Sequence, residues 1–156
     1  MIDIHCHILP QLDDGSASLE ESVKMARQAE EQGVTDIIAT PHVILDAGNA
    51  PSPETVLEKV QLLNDELKRE NVSVKVHPGG EVLIDPNIPQ FIDTNKVLTV
   101  VNSGKYVIIE LPLGGMPSYV KRTVFELTTR GITPIIAHPE RNRSIADDPN
   151  QLFDLI

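Results

Sequence analysis

An α/β fold built on parallel strands is what this chain of 156 residues predicts, and three observations predict it. Short runs rich in isoleucine and valine recur along the chain. Helical patterns separate most of them. Five runs stop on an imidazole or a carboxylate, at His7, His42, Glu81, Glu110 and His138. Strands alternating with helices favour parallel pairing, which brings the C-terminal ends of the strands to one face. The side chains that stop the runs would then converge on one rim, where α/β barrels keep their chemistry.

Taken in order, residues 1–7 read as the first strand, followed by a turn at Asp13-Asp14-Gly15-Ser16. Ser18 and Glu21 form a capping-box pair, and Val23, Met25, Ala26 and Ala29 continue as a helix that Gly33 stops. Residues 35–40 are the second strand, and 43–51 a loop near the rim. Ser52-Pro53 caps a helix running to about Arg69, with Val56, Val60, Leu63 and Leu67 on one face. Residues 72–78 form a third strand, ended by a bend at Gly79-Gly80. A short helix is expected near Ile88–Ile92, a strand at 105–111, a helix from about Ser118 to Arg130, and a strand at 132–137. Pro149 opens a last helix that is expected to run to Ile156. About five strands do not close a barrel, which typically takes eight. Gln151–Ile156 has helical spacing without a cap or polar tail. The expectation is therefore a single domain over 1–156 that forms the N-terminal part of a longer, here incomplete, barrel.

Composition narrows the function classes. Aromatic content is 3% with no tryptophan, so valine, isoleucine and leucine must make the core. A formal charge of -10 argues against nucleic acid and anionic membrane as partners. It leaves a small anionic substrate open, because bound cations invert the local sign. The single cysteine, Cys6, allows no internal disulfide and fits a reducing cytosol. No membrane span or signal peptide is visible. The expected location is the cytoplasm. An open barrel edge would invite self-association, so an oligomer is among the expectations.

The residues at the strand ends are the ligand types of divalent transition metals. His5 and His7 lie two apart on a strand, so both face one side while Cys6 faces the other. They can grip one ion, or simply be two histidines near a strand end. Asp3 shares their face and reads as a supporting carboxylate. His42 follows Thr40-Pro41 at the mouth, as a ligand or a surface histidine. Glu81, after two glycines, could bridge two ions or be a solvated loop residue. Glu110 ends an apolar run; a carboxylate buried there needs a partner or a metal. His138 ends Pro134-Ile-Ile-Ala at the rim, and Arg141 could reach over the opening to hold a phosphate bidentately. Its alternative is an ion pair with Glu140 or Asp147. One of Asp13 and Asp14 could complete a metal site, though turn preference explains both. His77 reads as structural. Cys6 lacks the arginine of a Cys-x5-Arg phosphate loop; Leu12 stands at that position, so an inert core thiol is expected.

Met1-Ile-Asp-Ile-His-Cys-His-Ile-Leu-Pro10 through Asp13-Asp14-Gly15, with Ala39-Thr-Pro-His42, Gly80-Glu81, Ile108-Ile-Glu110 and Ala137-His-Pro-Glu-Arg-Asn142, closely resembles the polymerase and histidinol phosphatase (PHP) superfamily. Within it, the chain looks like the metal-dependent protein-tyrosine phosphatases of Gram-positive capsular and exopolysaccharide systems. The resemblance implies a distorted seven-stranded (βα)7 TIM-like barrel with two or three divalent ions. Manganese is the expected metal, with iron, zinc or magnesium as alternatives. It implies His5, His7, Asp14, His42, Glu81, Glu110 and His138 as metal ligands, Arg141 as the phosphate-binding residue and Glu81 as a bridging, catalytic carboxylate. The implied substrate is a phosphotyrosine protein, notably a cognate autophosphorylating tyrosine kinase that regulates polysaccharide export. Related superfamily members further carry an Asp-x-His ligand pair beyond the span of this chain. Two alternatives stand beside this reading: a phosphatase of small phosphomonoesters such as histidinol phosphate, and a truncated domain that binds metal without turnover.

Overall fold

The computed structural model describes residues 1–44 and 50–155. Among the described residues there are seven strands: β1 (Ile2–Cys6), β2 (Asp36–Ala39), β3 (His42–Val43), β4 (Lys75–Pro78), β5 (Glu81–Leu83), β6 (Tyr106–Glu110) and β7 (Thr133–Ile136). The helices are α1 (Leu19–Glu31), α2 (Pro53–Arg69), α3 (Ile88–Asp93), α4 (Val120–Thr129), α5 (Arg143–Asp147) and α6 (Asn150–Phe153), with short 3-10 turns at Val100–Asn102 and Pro139–Arg141. All strand pairs are parallel, in two sheets of order β1-β2-β4 and β3-β5-β6-β7. The fold is thus mixed α/β, as the alternating pattern requires.

β3 and β5 were not anticipated. Each is the continuation of a preceding strand past a kink, at Thr40-Pro41 and at Gly79-Gly80, and each kink carries the chain from one sheet to the other. Proline has no N–H to continue the first ladder. At the second kink the backbones crowd: a Cβ on Gly79 would lie 2.9 Å from Ile38 Cγ2 and 3.2 Å from Ala39 O. Only two or three residues pair after each kink, too few to show as a strand pattern in sequence. α5, a helix of five residues, is likewise too short to show a helical period in sequence. The last helix is shorter than expected, and Ile156 lies outside the described residues, as does most of the rim loop 43–51.

Each sheet owns a core. Leu63 and Leu67 of α2, Ala26 of α1 and Ile37 and Val76 of the strands pack under the first sheet. Val82, Val107 and Ile109 pack with Val120, Val124 and Leu127 of α4 under the second. The expected caps form. Ser18 Oγ accepts from Glu21 N–H at 3.1 Å, and Glu21 reaches back to Ala17 N–H at 2.8 Å, one residue before the capping box would place it. Ser52 Oγ accepts from Thr55 N–H at 3.2 Å. The outer edge of β4 is covered by a side chain: Asn64 of α2 donates to Val76 O at 2.8 Å and accepts from Val76 N–H at 2.9 Å. One amide stands in for a neighbouring strand and blocks edge pairing there.

Candidate metal centre

Parallel pairing sets the strand ends on one face, and the two kinks bring β3 and β5 to it as well. His5 is the penultimate residue of β1 and His7 lies just past its end. His42 opens β3, Glu81 opens β5, Glu110 closes β6, and His138 follows β7 by two residues. His138 adopts φ 26° and ψ 59°, a left-handed conformation rare for a side chain with a Cβ. That turn sends the chain from β7 into Pro139–Arg141 at the rim.

Glu81 is the centre of the arrangement. It is wholly buried, with 0% exposure. Its Oε1 lies 2.7 Å from His138 Nε2 and 3.6 Å from His5 Nε2. Its Oε2 lies 3.2 Å from His7 Nε2 and 3.1 Å from His42 Nδ1. Glu110 adds Oε2 at 3.8 Å from His42 Nδ1 and Oε1 at 4.0 Å from His138 Nε2. Asp14, largely exposed, sets Oδ1 3.4 Å from His42 Nε2. His5, His7, Asp14, His42, Glu81 and His138 line one cleft of about 340 Å³, together with Arg141. Among the described residues no carboxylate comes within 4.0 Å of Arg141, so the pairings with Glu140 and Asp147 do not form.

Asp13 and Asp14 separate by role. Asp13 is the supporting one: its Oδ2 takes His7 Nδ1 at 2.6 Å and His42 N–H at 3.0 Å, and its Oδ1 takes Gly15 N–H at 3.0 Å. Asp14, one residue on, faces the cleft. Two adjacent aspartates in a turn carry no sequence signal that tells them apart. Asp3 accepts from His5 N–H at 3.1 Å. His77 pairs with Asp36 at 2.8 Å, on strands β4 and β2 and apart from the cleft.

Electrostatics follow from this packing. The hydrogen bond to Asp13, then that to Glu81, raises His7 to about 10. Burial lowers His5, partly opposed by Glu81. Burial would raise Glu81, but the imidazoles around it outweigh that and hold the carboxyl below its usual value. Asp13 behaves alike, its burial outweighed by bonds from His7, Gly15 and His42. Burial pushes the Cys6 thiol up to about 11, so it is protonated at neutral pH.

The residues fit divalent cations. Glu81 Oε2 is buried without a hydrogen bond of good geometry, although two imidazole nitrogens stand beside it. Two donors bound to one ion at about 2.1 Å sit roughly 3 Å apart, the spacing seen here between non-bonded neighbours. Three donor groups, His5–His7–Glu81, His7–Asp14–His42 and His42–Glu81–Glu110, each bring their ligand atoms within 4.8 Å of one another. Glu81, His7 and His42 each belong to two groups, which suits adjacent ions sharing ligands.

Known proteins share this architecture. Over 156 residues the chain is 40% identical to the tyrosine-protein phosphatase YwqE of Bacillus subtilis, covering all of this chain and 61% of that protein. It is 27% identical to the tyrosine-protein phosphatase CpsB of Streptococcus pneumoniae, covering 63% of it. A crystal structure from work on these two proteins, described as unique metal-dependent tyrosine phosphatases, superposes with a TM-score of 0.94 at 39% identity, over 99% of this chain and 62% of the other. The chain thus spans about three-fifths of the length of the relatives it matches. The family profile described as capsular polysaccharide synthesis, CpsB/CapC, matches residues 1–156 from end to end, and the chain belongs to that family.

Proposed function

We propose that the protein is a metal-dependent phosphatase of protein phosphotyrosine that acts in capsular or exopolysaccharide synthesis. One observation carries the reading: four imidazoles and a second carboxylate surround a single buried glutamate beneath an arginine-topped cleft. The names of the relatives supply the substrate class. Resemblance to the PHP superfamily supports manganese, a cognate tyrosine kinase as substrate and a cytoplasmic location. No helix among the described residues is long and apolar enough to cross a membrane. We also infer that the two parallel sheets are arcs of one distorted (βα)7 barrel, since both kinked strands run from one sheet into the other.

His5, His7, His42, His138, Glu81, Glu110 and Asp14 would hold the ions. When bound, divalent cations make water a nucleophile at neutral pH and neutralise phosphate oxygens. The rest falls to the chain. Glu81 offers one oxygen to His5 and His138 and the other to His7 and His42, so it can bridge neighbouring positions. Asp13 fixes the ring of His7, leaving Nε2 to face the cleft. Arg141 grips the phosphate from above and offsets charge that grows as the ester bond breaks. Water adds to phosphorus, the tyrosine oxygen leaves with a proton, and inorganic phosphate remains. Cys6 takes no part: it lies outside the cleft lining and holds its proton.

His5→Ala and Glu110→Ala are expected to lower manganese-dependent hydrolysis of a phosphotyrosine peptide by more than about 100-fold, since ligand-set changes act at least on that scale. Unchanged turnover would defeat the assignment. Running histidinol phosphate and other small phosphomonoesters beside the peptide separates the protein phosphatase from a small-molecule one. Fewer than two bound ions and no hydrolysis at saturating manganese would identify a metal-binding domain without turnover.

A further inference from the structure

Arg141 owes its place to the residue after it. Asn142 is 1% exposed, and every polar atom of its side chain is engaged. Nδ2 donates to Pro112 O at 2.6 Å and Gly115 O at 2.9 Å, while Oδ1 accepts from Ile145 N–H at 3.2 Å. Carbonyls only accept and an N–H only donates, so this orientation of the amide is set by its partners. Two more bonds run beside it: Arg143 N–H to Leu113 O at 3.0 Å, and Met116 N–H to Ser144 Oγ at 3.2 Å. Together they lash the loop after β6 to the turn that carries Arg141. That loop begins two residues after Glu110 and presents Leu113, 64% exposed. Arg141 itself has no carboxylate partner among the described residues, so its guanidinium is placed from the backbone: by the turn, where Arg141 N–H donates to His138 O at 2.9 Å, and by this clasp.

We propose that Asn142 is a positioning residue that locks the Arg141 turn and the loop 112–116 into one rigid rim, so that phosphate meets a preplaced guanidinium. The inference rests on the phosphatase reading and extends it from the metal cluster to the rim. Asn142 touches neither substrate nor metal; it acts through Arg141. Removing its amide leaves two part-buried carbonyls, of Pro112 and Gly115, without their donor, and the loop they anchor loosens. Preorganisation is then lost on the phosphate side: of the metal ligands only His138 shares this turn, and its ring is held separately, 2.7 Å from Glu81 Oε1.

The test measures binding of inorganic phosphate to the manganese-loaded protein by calorimetry. Asn142→Ala should weaken phosphate by about tenfold or more, the scale of one lost charge-assisted contact, with manganese stoichiometry and affinity unchanged. Val124→Ala, in the core under α4, serves as a control for general loosening and should leave phosphate binding as it is. In an Arg141→Ala background, Asn142→Ala should have no further effect, since the two act as one unit. Asn142→Asp keeps the bond to Ile145 but sets an anionic oxygen against two carbonyls; it should match the alanine variant, and it serves alone if that variant does not fold. Additive losses, or a loss no larger than that of Val124→Ala, would overturn the positioning role. Manganese binding with no phosphate binding in the unaltered protein would bring down the phosphatase reading itself, and this inference with it.

Discussion

Gly15 shows how closely the residues of this site are placed. A Cβ there would sit 2.2 Å from His7 O and 2.5 Å from His7 Cβ, so the turn runs tight against the backbone that carries a cleft imidazole. The same turn delivers Asp13 to His7 Nδ1. Carboxylates that orient a ligating imidazole typically contribute 10–100-fold in metal affinity. Asp13→Ala should therefore weaken manganese binding by about 10–100-fold, as titration calorimetry would show; an unaltered isotherm would reduce Asp13 to a turn former. His7 also links the site to pH. Its pKa, raised to about 10 from an ordinary 6.5, means the folded metal-free chain holds a proton more tightly than the unfolded chain. That contribution to stability is full below about pH 6.5 and fades as pH rises through about 10. The melting temperature of the chelated protein should fall across that window. Metal demands the neutral ring, so binding near pH 7 should release protons, visible as a dependence of the heat on buffer ionisation.

Helix α2 illustrates how much an element can carry. Its buried stripe of Val56, Val60, Leu63 and Leu67 was legible as a helical period, and the Ser52-Pro53 start as a cap. Leu63 is entirely buried in the core beneath the first sheet. Leu63→Ala should cost about 2–5 kcal/mol in urea denaturation, the range for a truncated core leucine. A cost below about 1 kcal/mol would mean this face is not the core. Asn64, next in the chain, was unremarked in sequence because its two bonds run to Val76, distant in the chain and identifiable only once α2 lies against β4. The strands show the same division. β6 announced itself by Tyr106-Val-Ile-Ile, whereas β3 and β5 are two and three residues long and exist only because a neighbour is already in place.

At the scale of the whole molecule, His5, His7, Asp14, His42, Glu110, His138 and Arg141 come from distant parts of the sequence to meet around Glu81 and the cleft above it. Their mutual closeness is electrostatically awkward without cations: two carboxylates and several imidazoles compete for few protons. Divalent ions would resolve the conflict and would bind the folded state alone, so on the proposed reading manganese should raise the melting temperature by an amount that grows with its concentration. A melting temperature indifferent to manganese and to chelator would show that no ion occupies the cluster. The sequence by itself determined the alternation of strand and helix, the parallel sense of pairing and the ends on which His5, His7, Glu110 and His138 stand, because periodicity and burial are local properties of the chain. It determined the family too, through motifs that survive as contiguous residues. Only the tertiary structure decided that the chain changes sheets at Pro41 and Gly79-Gly80, that Asp13 supports while Asp14 faces the cleft, and that Asn142 clasps the rim. Those outcomes depend on contacts between residues far apart in the chain, and such contacts have no pattern until the backbone has closed around them.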